Sequence, residues 1–178
     1  MHLMCHPFPR PQRGSRVSAP NVVIGIGNRF RRDDGSALQV LNALAGRLPE
    51  STVVIESDGE PARLIDSWAD APVAVVVETV RQNRAPGSIA GIAWEAHVAS
   101  STGIEHGSHS LGILEAIALG RAVGRMPLKL RLIGIEPEDL GWGEGLTAAV
   151  AHSIDAAADL VLDYLGLSAS ASAFRSSR

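Results

Sequence analysis

Residues 72–78 read PVAVVVE, a continuous apolar run closed by an acid. A run this short without polar alternation fits a strand covered on both faces, as the central strand of a parallel sheet is. The segments on either side fit that reading. Upstream, residues 21–27 (NVVIGIG) and 52–56 (TVVIE) are β-branched runs of strand length; downstream, residues 88–94 (SIAGIAW) follow the Pro86-Gly87 turn, and residues 129–135 (KLRLIGI) form a fifth run. Helical spacing fills the gaps. Ala37, Leu41, Leu44, Ala45 and Leu48 share one face of a helix over residues 35–48. Pro61 suits the first turn of a helix over 61–68. Leu111, Leu114 and Ala118 mark a helix over 110–123, and Val150, Ile154, Ala157, Val161 and Leu165 one over 148–165. Alternating strands and helices predict an α/β fold: a three-layer αβα sandwich around a mostly parallel, five-stranded twisted sheet.

Composition narrows the function classes. A chain of 178 residues with 46% hydrophobic and 20% charged residues is expected to form one domain with a full core. The single cysteine, Cys5, excludes an internal disulfide and a cysteine-rich zinc site. A net charge of −3 and 4% aromatic residues argue against nucleic acid as a partner. The apolar run at 71–77 is too short to span a bilayer, so no membrane role is expected and a cytoplasmic location is. Residues 1–20, with four prolines and three arginines but no acid, read as a disordered tail rather than a secretory signal. Residues 167–178, rich in Ser and Ala, read as a second tail, leaving 21–166 as the domain.

Ligands of parallel α/β sheets sit at the carboxyl ends of the strands. Four such places carry polar residues here. The first strand runs into Gly25-Ile26-Gly27-Asn28 and then Arg29-Phe30-Arg31-Arg32-Asp33-Asp34-Gly35. Phe30 stands where a dinucleotide fingerprint needs its third glycine, and no Gly-Lys-Ser/Thr follows, so neither phosphate motif is met. Asp33 is expected to cap the following helix. Asp34 is open to either a capping or a functional role. Asp58, after the second strand, fits an Asx-turn as well as a site. Glu78 ends an apolar strand, where an acid is either solvated or coordinating. His109 lies in the loop 106–112 that opens onto a helix. Two carboxylates and an imidazole at separate element ends have the makings of an open metal shell.

These segments together resemble the maturation endopeptidases of nickel–iron hydrogenases, which trim the C-terminus of the hydrogenase large subunit. Gly25-Ile26-Gly27-Asn28 with Asp33-Asp34-Gly35 matches the family's opening signature, and Asp58-Gly59 its turn after the second strand. The stretch from Val75 to Glu78 with Ala85-Pro86-Gly87-Ser88 matches its third strand and following turn. Ser108-His109-Ser110-Leu111-Gly112 matches its serine–x–histidine–x–leucine–glycine segment. Gly134-Ile135-Glu136-Pro137-Glu138 and Gly145-Leu146-Thr147 match its C-terminal pattern. The resemblance spans about residues 21–166. Glu78-Thr79 stands where the family usually has aspartate and alanine, and Ala37 where it often has glycine.

The resemblance implies a phosphorylase/hydrolase-like fold and a cytoplasmic, monomeric endopeptidase acting on a large-subunit precursor. Nickel would be carried by that substrate and contacted transiently by Asp34, Glu78 and His109. Water would be activated by nickel or by a carboxylate, Asp34 or Asp58. Gly25, Gly27, Asn28 and Gly59 would line the peptide cleft. His106 falls outside the matched motif. Two other readings stand beside this one: a non-cleaving nickel-sensing or docking module of the same fold, and a nucleotide-binding protein using the turn at Gly25–Asn28 for phosphate.

Overall fold

The computed structural model describes residues 19–93 and 110–168. Five strands form one sheet: β1 (Val22–Ile26), β2 (Val53–Ser57), β3 (Ala74–Thr79), β4 (Ile89–Ala93) and β5 (Leu130–Ile135). Four helices accompany them: α1 (Ser36–Ala43), α2 (Pro61–Trp68), α3 (Ser110–Ala122) and α4 (Ala148–Leu165), with a 3-10 turn at Arg32–Gly35 ahead of α1. The strand order is β2-β1-β3-β5-β4. All pairings are parallel except β4 against β5. The three-layer, mostly parallel sandwich expected from the sequence is therefore the fold.

Alternation along each strand divides the core in two. Ile24, Ile26, Val76 and Leu130 face α2 and α3, where Leu64, Trp68, Ile113 and Ile117 cover them. Val23, Val75, Val77 and Ile133 face α1 and α4, covered by Val40, Leu41, Ala157 and Val161. β3 is buried along its whole length, as its unbroken apolar run requires. β2 is an edge strand, with Val53 and Val54 exposed.

Helix α1 is shorter than the periodicity at 35–48 implies. Its first turn is 3-10, and after Ala43 the chain passes through tight turns, Ala45 N–H donating to Asn42 O and Arg47 N–H to Leu44 O. Leu44 is nonetheless buried and Leu48 packs on the core. The apolar spacing reports which side chains pack, not which carbonyl each amide bonds.

Chain direction reverses around β1. The chain leaves β1 through α1 to reach β2 on one side, then crosses the other face through α2 to reach β3 on the opposite side. That makes the gap between the carboxyl ends of β1 and β3 the topological switch point, where an open α/β sheet leaves a crevice. No described helix is long and apolar enough to cross a membrane.

Candidate functional site at the switch point

Asp34 and Glu78 both sit beside the switch point. On the β3 side, Glu78 lies directly across from Ile26 in the parallel register. On the β1 side the chain turns back so that Asp34 lands on the strand it has just left. Asn28 N–H donates to Asp34 O at 3.2 Å, Arg31 N–H to Asn28 O at 3.0 Å, and Asp34 N–H to Arg31 O at 3.0 Å. Asn28 Oδ1 closes the loop by accepting from Phe30 N–H at 2.9 Å. Gly27 makes the approach possible: a Cβ there would lie 2.0 Å from Asp34 O. Only a hydrogen fits. Asp34 is thus held against the residue next to Ile26, one strand spacing of about 4.8 Å from the strand that carries Glu78.

Burial sets the electrostatics. Asp34 is 3% exposed and Glu78 7%. Glu78 Oε2 is sealed from solvent and accepts no hydrogen bond among the described residues, and burial pushes the Glu78 carboxyl up from 4.5 to about 8. Asp34 Oδ2 is sealed as well. A desolvated carboxylate in a crevice at a switch point is the kind of group that a functional site accounts for and a packed core does not. A cation placed beside such a carboxyl favours its ionised form.

The neighbours of the two acids are structural. Asp33, fully buried, makes no cap bond to its own helix, contrary to the expectation from sequence. Its carboxylate instead accepts from Glu138 N–H at 2.9 Å, Asp139 N–H at 2.9 Å, Thr147 N–H at 2.7 Å and Thr147 Oγ1 at 3.0 Å. It fastens the segment from Glu138 to Thr147, which leads into α4, onto the Asp34 turn. Thr79, beside Glu78, clamps the same turn from below: its hydroxyl lies 3.0 Å from Asp33 O and 2.9 Å from Ser36 Oγ. Neither role was legible in sequence, because both partners lie tens of residues away. Beyond β5, Glu136 is buried but satisfied, accepting from Gln82 N–H at 2.8 Å.

The remaining sequence-predicted residues divide. Gly27, Asn28 and Asp58 line a cavity of about 700 Å³ between the β1 loop, β2 and α2, with Phe30 and Arg63 also in its wall. Asp58 forms the expected Asx-type turn to Glu60 N–H at 3.2 Å and an ion pair to Arg63 at 3.0 Å, with most of its side chain exposed. Gly25 and Gly59 do not line the cleft. Gly25 is buried beneath α1, where a Cβ would meet Leu41 at 2.8 Å. Gly59, with φ +84°, is buried too, and its carbonyl lies 2.4 Å from where a Cβ on Gly112 would be. Both positions serve close packing, not peptide access. Gly59 is thus the point where the first turn of α3 meets the end of β2. His109, the third expected metal ligand, lies outside the described residues, immediately before α3. Among the described residues no three His, Cys, Asp or Glu side chains gather to hold a metal.

Fold and site together describe an α/β protein with two buried acids, Asp34 and Glu78, beside its switch point, and comparison with known proteins specifies it further. The sequence model of the hydrogenase maturation protease family, HycI, matches residues 38–164. The hydrogenase 2 maturation protease of Escherichia coli is 28% identical over 144 residues, covering 79% of this chain and 87% of that protein. A hydrogenase expression/formation protein, HupD, of Thiocapsa roseopersicina is 30% identical over 148 residues, covering 81% and 66%. Among solved structures, the E. coli hydrogenase maturating endopeptidase HybD superposes with a TM-score of 0.71 at 25% identity, covering 82% of this chain and 91% of that one. The [NiFe] hydrogenase maturation protease HybD of Thermococcus kodakarensis shares the fold, at TM-score 0.67 and 19% identity over 81% and 97%. The chain belongs to the hydrogenase maturation protease family.

Proposed function

We propose that this protein removes the C-terminal extension of a nickel-loaded hydrogenase large-subunit precursor, and that Asp34, Glu78 and His109 contact the nickel the precursor carries. The observation that carries the reading is the pair of buried acids at the β1–β3 switch point, one of them held near neutral charge by burial. A carboxyl with its pKa near 8 keeps its proton while the crevice is empty and loses it when a divalent cation offsets the desolvation cost. Two carboxylate oxygens and an imidazole suit nickel, and three protein ligands leave its other positions to the substrate. His109 is assigned the third place because α3 begins at Ser110 and packs its first turn against Gly59 at the carboxyl edge.

For water activation, nickel polarisation of the scissile carbonyl and a carboxylate base both fit this chemistry. Asp34 is favoured over Asp58 as the base, since Asp58 is committed to its turn and to Arg63. Incubation with nickel-loaded and nickel-free precursor, read by mass spectrometry, tests the reading. Loaded precursor is expected to lose one C-terminal peptide and nickel-free precursor to stay whole. Asp34→Ala and His109→Ala are each expected to abolish processing. Equal trimming of both precursors removes nickel from the account, and cleavage surviving both substitutions removes the site.

A further inference from the structure

Aromatic side chains are scarce in this chain, 4% of residues. Among the described residues only two aromatics are exposed: Phe30 at 55% and Trp142 at 79%. They come from segments more than a hundred residues apart, yet their backbones are joined. Gly143 N–H donates to Phe30 O at 2.9 Å, Arg32 N–H donates to Gly143 O at 2.8 Å, and Arg31 forms a bridge with Gly143. The Arg31 guanidinium lies 5.9 Å from the Trp142 ring centre and donates to Leu140 O at 3.1 Å. Phe30 also forms part of the cavity wall beside Gly27 and Asn28.

The segment that presents Trp142 is fixed in place. Asp33, the immediate neighbour of Asp34, holds both ends of it through its bonds to Glu138, Asp139 and Thr147. A buried carboxylate spent on a surface loop gives that loop a set position relative to the crevice. The arginines of this rim are each engaged within the chain. Arg29 pairs with Glu56 at 2.5 Å, Arg32 with Asp139 at 3.0 Å, and Arg31 serves Leu140 and Trp142. With two of these arginines paired to acids and the third held against Trp142, the most exposed groups the rim offers outward are the Phe30 and Trp142 rings. Exposed Trp and Phe on a rigid loop are typical anchors of protein interfaces.

Resting on the proposed function above, we infer that Phe30 and Trp142 dock the folded body of the precursor, apart from the extension that enters the crevice. The partner surface is an apolar patch close to the point where the extension leaves the fold. Recognition is thereby split: the crevice reads metal and peptide, and the rim reads the folded protein.

The test uses the full chain and nickel-loaded precursor. Phe30→Ala and Trp142→Ala are expected to leave the melting temperature within about 2 °C of the unsubstituted protein, since exposed side chains contribute little to folding. Each is expected to raise Kd and KM for loaded precursor by roughly tenfold or more while kcat stays within about twofold. Trp142→Phe is expected to recover most of the loss. Binding of an isolated extension peptide, followed by fluorescence anisotropy, is expected to be unchanged by Trp142→Ala, since Trp142 lies outside the cavity wall. Wild-type binding and cleavage with both alanine variants equally competent overturns the docking inference alone. Weakening of the isolated peptide to the same degree by Trp142→Ala also overturns it, because the rim then holds the extension. If the unsubstituted chain neither binds nor cleaves loaded precursor, the proposed function falls, and this inference with it.

Discussion

Replacing Glu78 by glutamine tests whether burial, rather than a hidden partner, governs the crevice. In the folded chain the Glu78 carboxyl sits at about 8 against an ordinary 4.5, raised by desolvation. A carboxyl raised on folding stabilises the fold most where it is protonated in both states. Its contribution is complete below pH 4.5 and is lost as pH rises toward 8, because the unfolded chain ionises it freely. At about 1.4 kcal/mol per pH unit, the span from 4.5 to 8 sets a ceiling of about 5 kcal/mol. Partial titration near each end trims this to about 3–4 kcal/mol between pH 5 and pH 8. Glu78→Gln keeps the shape and removes the titration. Urea unfolding of both proteins without metal, at steps from pH 5 to pH 8.5, isolates the group, since every other titration is shared. The glutamine variant is expected to gain about 3–4 kcal/mol on the unsubstituted chain across that range. Parallel pH curves would refute the reasoning and show that Glu78 ionises at ordinary cost in the folded chain.

Three other substitutions probe how the acids are positioned. Gly27→Ala drives a methyl into Asp34 O and is expected to cost about 3 kcal/mol in urea unfolding and to lower processing, because the Asp34 turn must lift from β1. Asp33→Asn replaces an acceptor of four hydrogen bonds with a group that is half donor; a loss of about 3 kcal/mol is expected, with faster amide exchange at Glu138, Asp139 and Thr147. Thr79→Val removes the hydroxyl that joins β3 to Asp33 O and Ser36, and is expected to cost about 1–2 kcal/mol by thermal or urea unfolding while leaving the sheet intact.

The sheet was legible because its determinants are local. An unbroken apolar run such as Ala74–Val77, too short for a helix and rich in valine, fits a strand buried on both faces, and every strand and helix except the end of α1 lies within two residues of its sequence-predicted bounds. The antiparallel β4 satisfies the same local pattern as its parallel neighbours, so its direction could come only from tertiary pairing. At the site, Glu78 stood out because an acid closing an apolar strand needs a reason, whereas Asp34 read equally well as a cap and was singled out by the resemblance to the family. What escaped was long-range. Asp33 looked like a helix cap from its position, while its partners lie more than a hundred residues on. Gly25 and Gly59 looked like cleft residues because glycine next to a turn has two explanations, close packing and ligand access. The sequence carries no sign of which one applies; the distances to Leu41 and Gly112 do.

The central claim is that Asp34, Glu78 and His109 converge on nickel carried by the precursor. Nickel-edge X-ray absorption of loaded precursor, alone and bound to this protein with the cleavage site blocked by substitution in the precursor, tests it most directly. Complex formation is expected to add oxygen and nitrogen scatterers at roughly 2.0–2.2 Å, with one imidazole pattern that disappears in His109→Ala and fewer oxygens in Asp34→Ala. A nickel spectrum unchanged by binding would contradict the claim, leaving the two buried acids without the metal assigned to them.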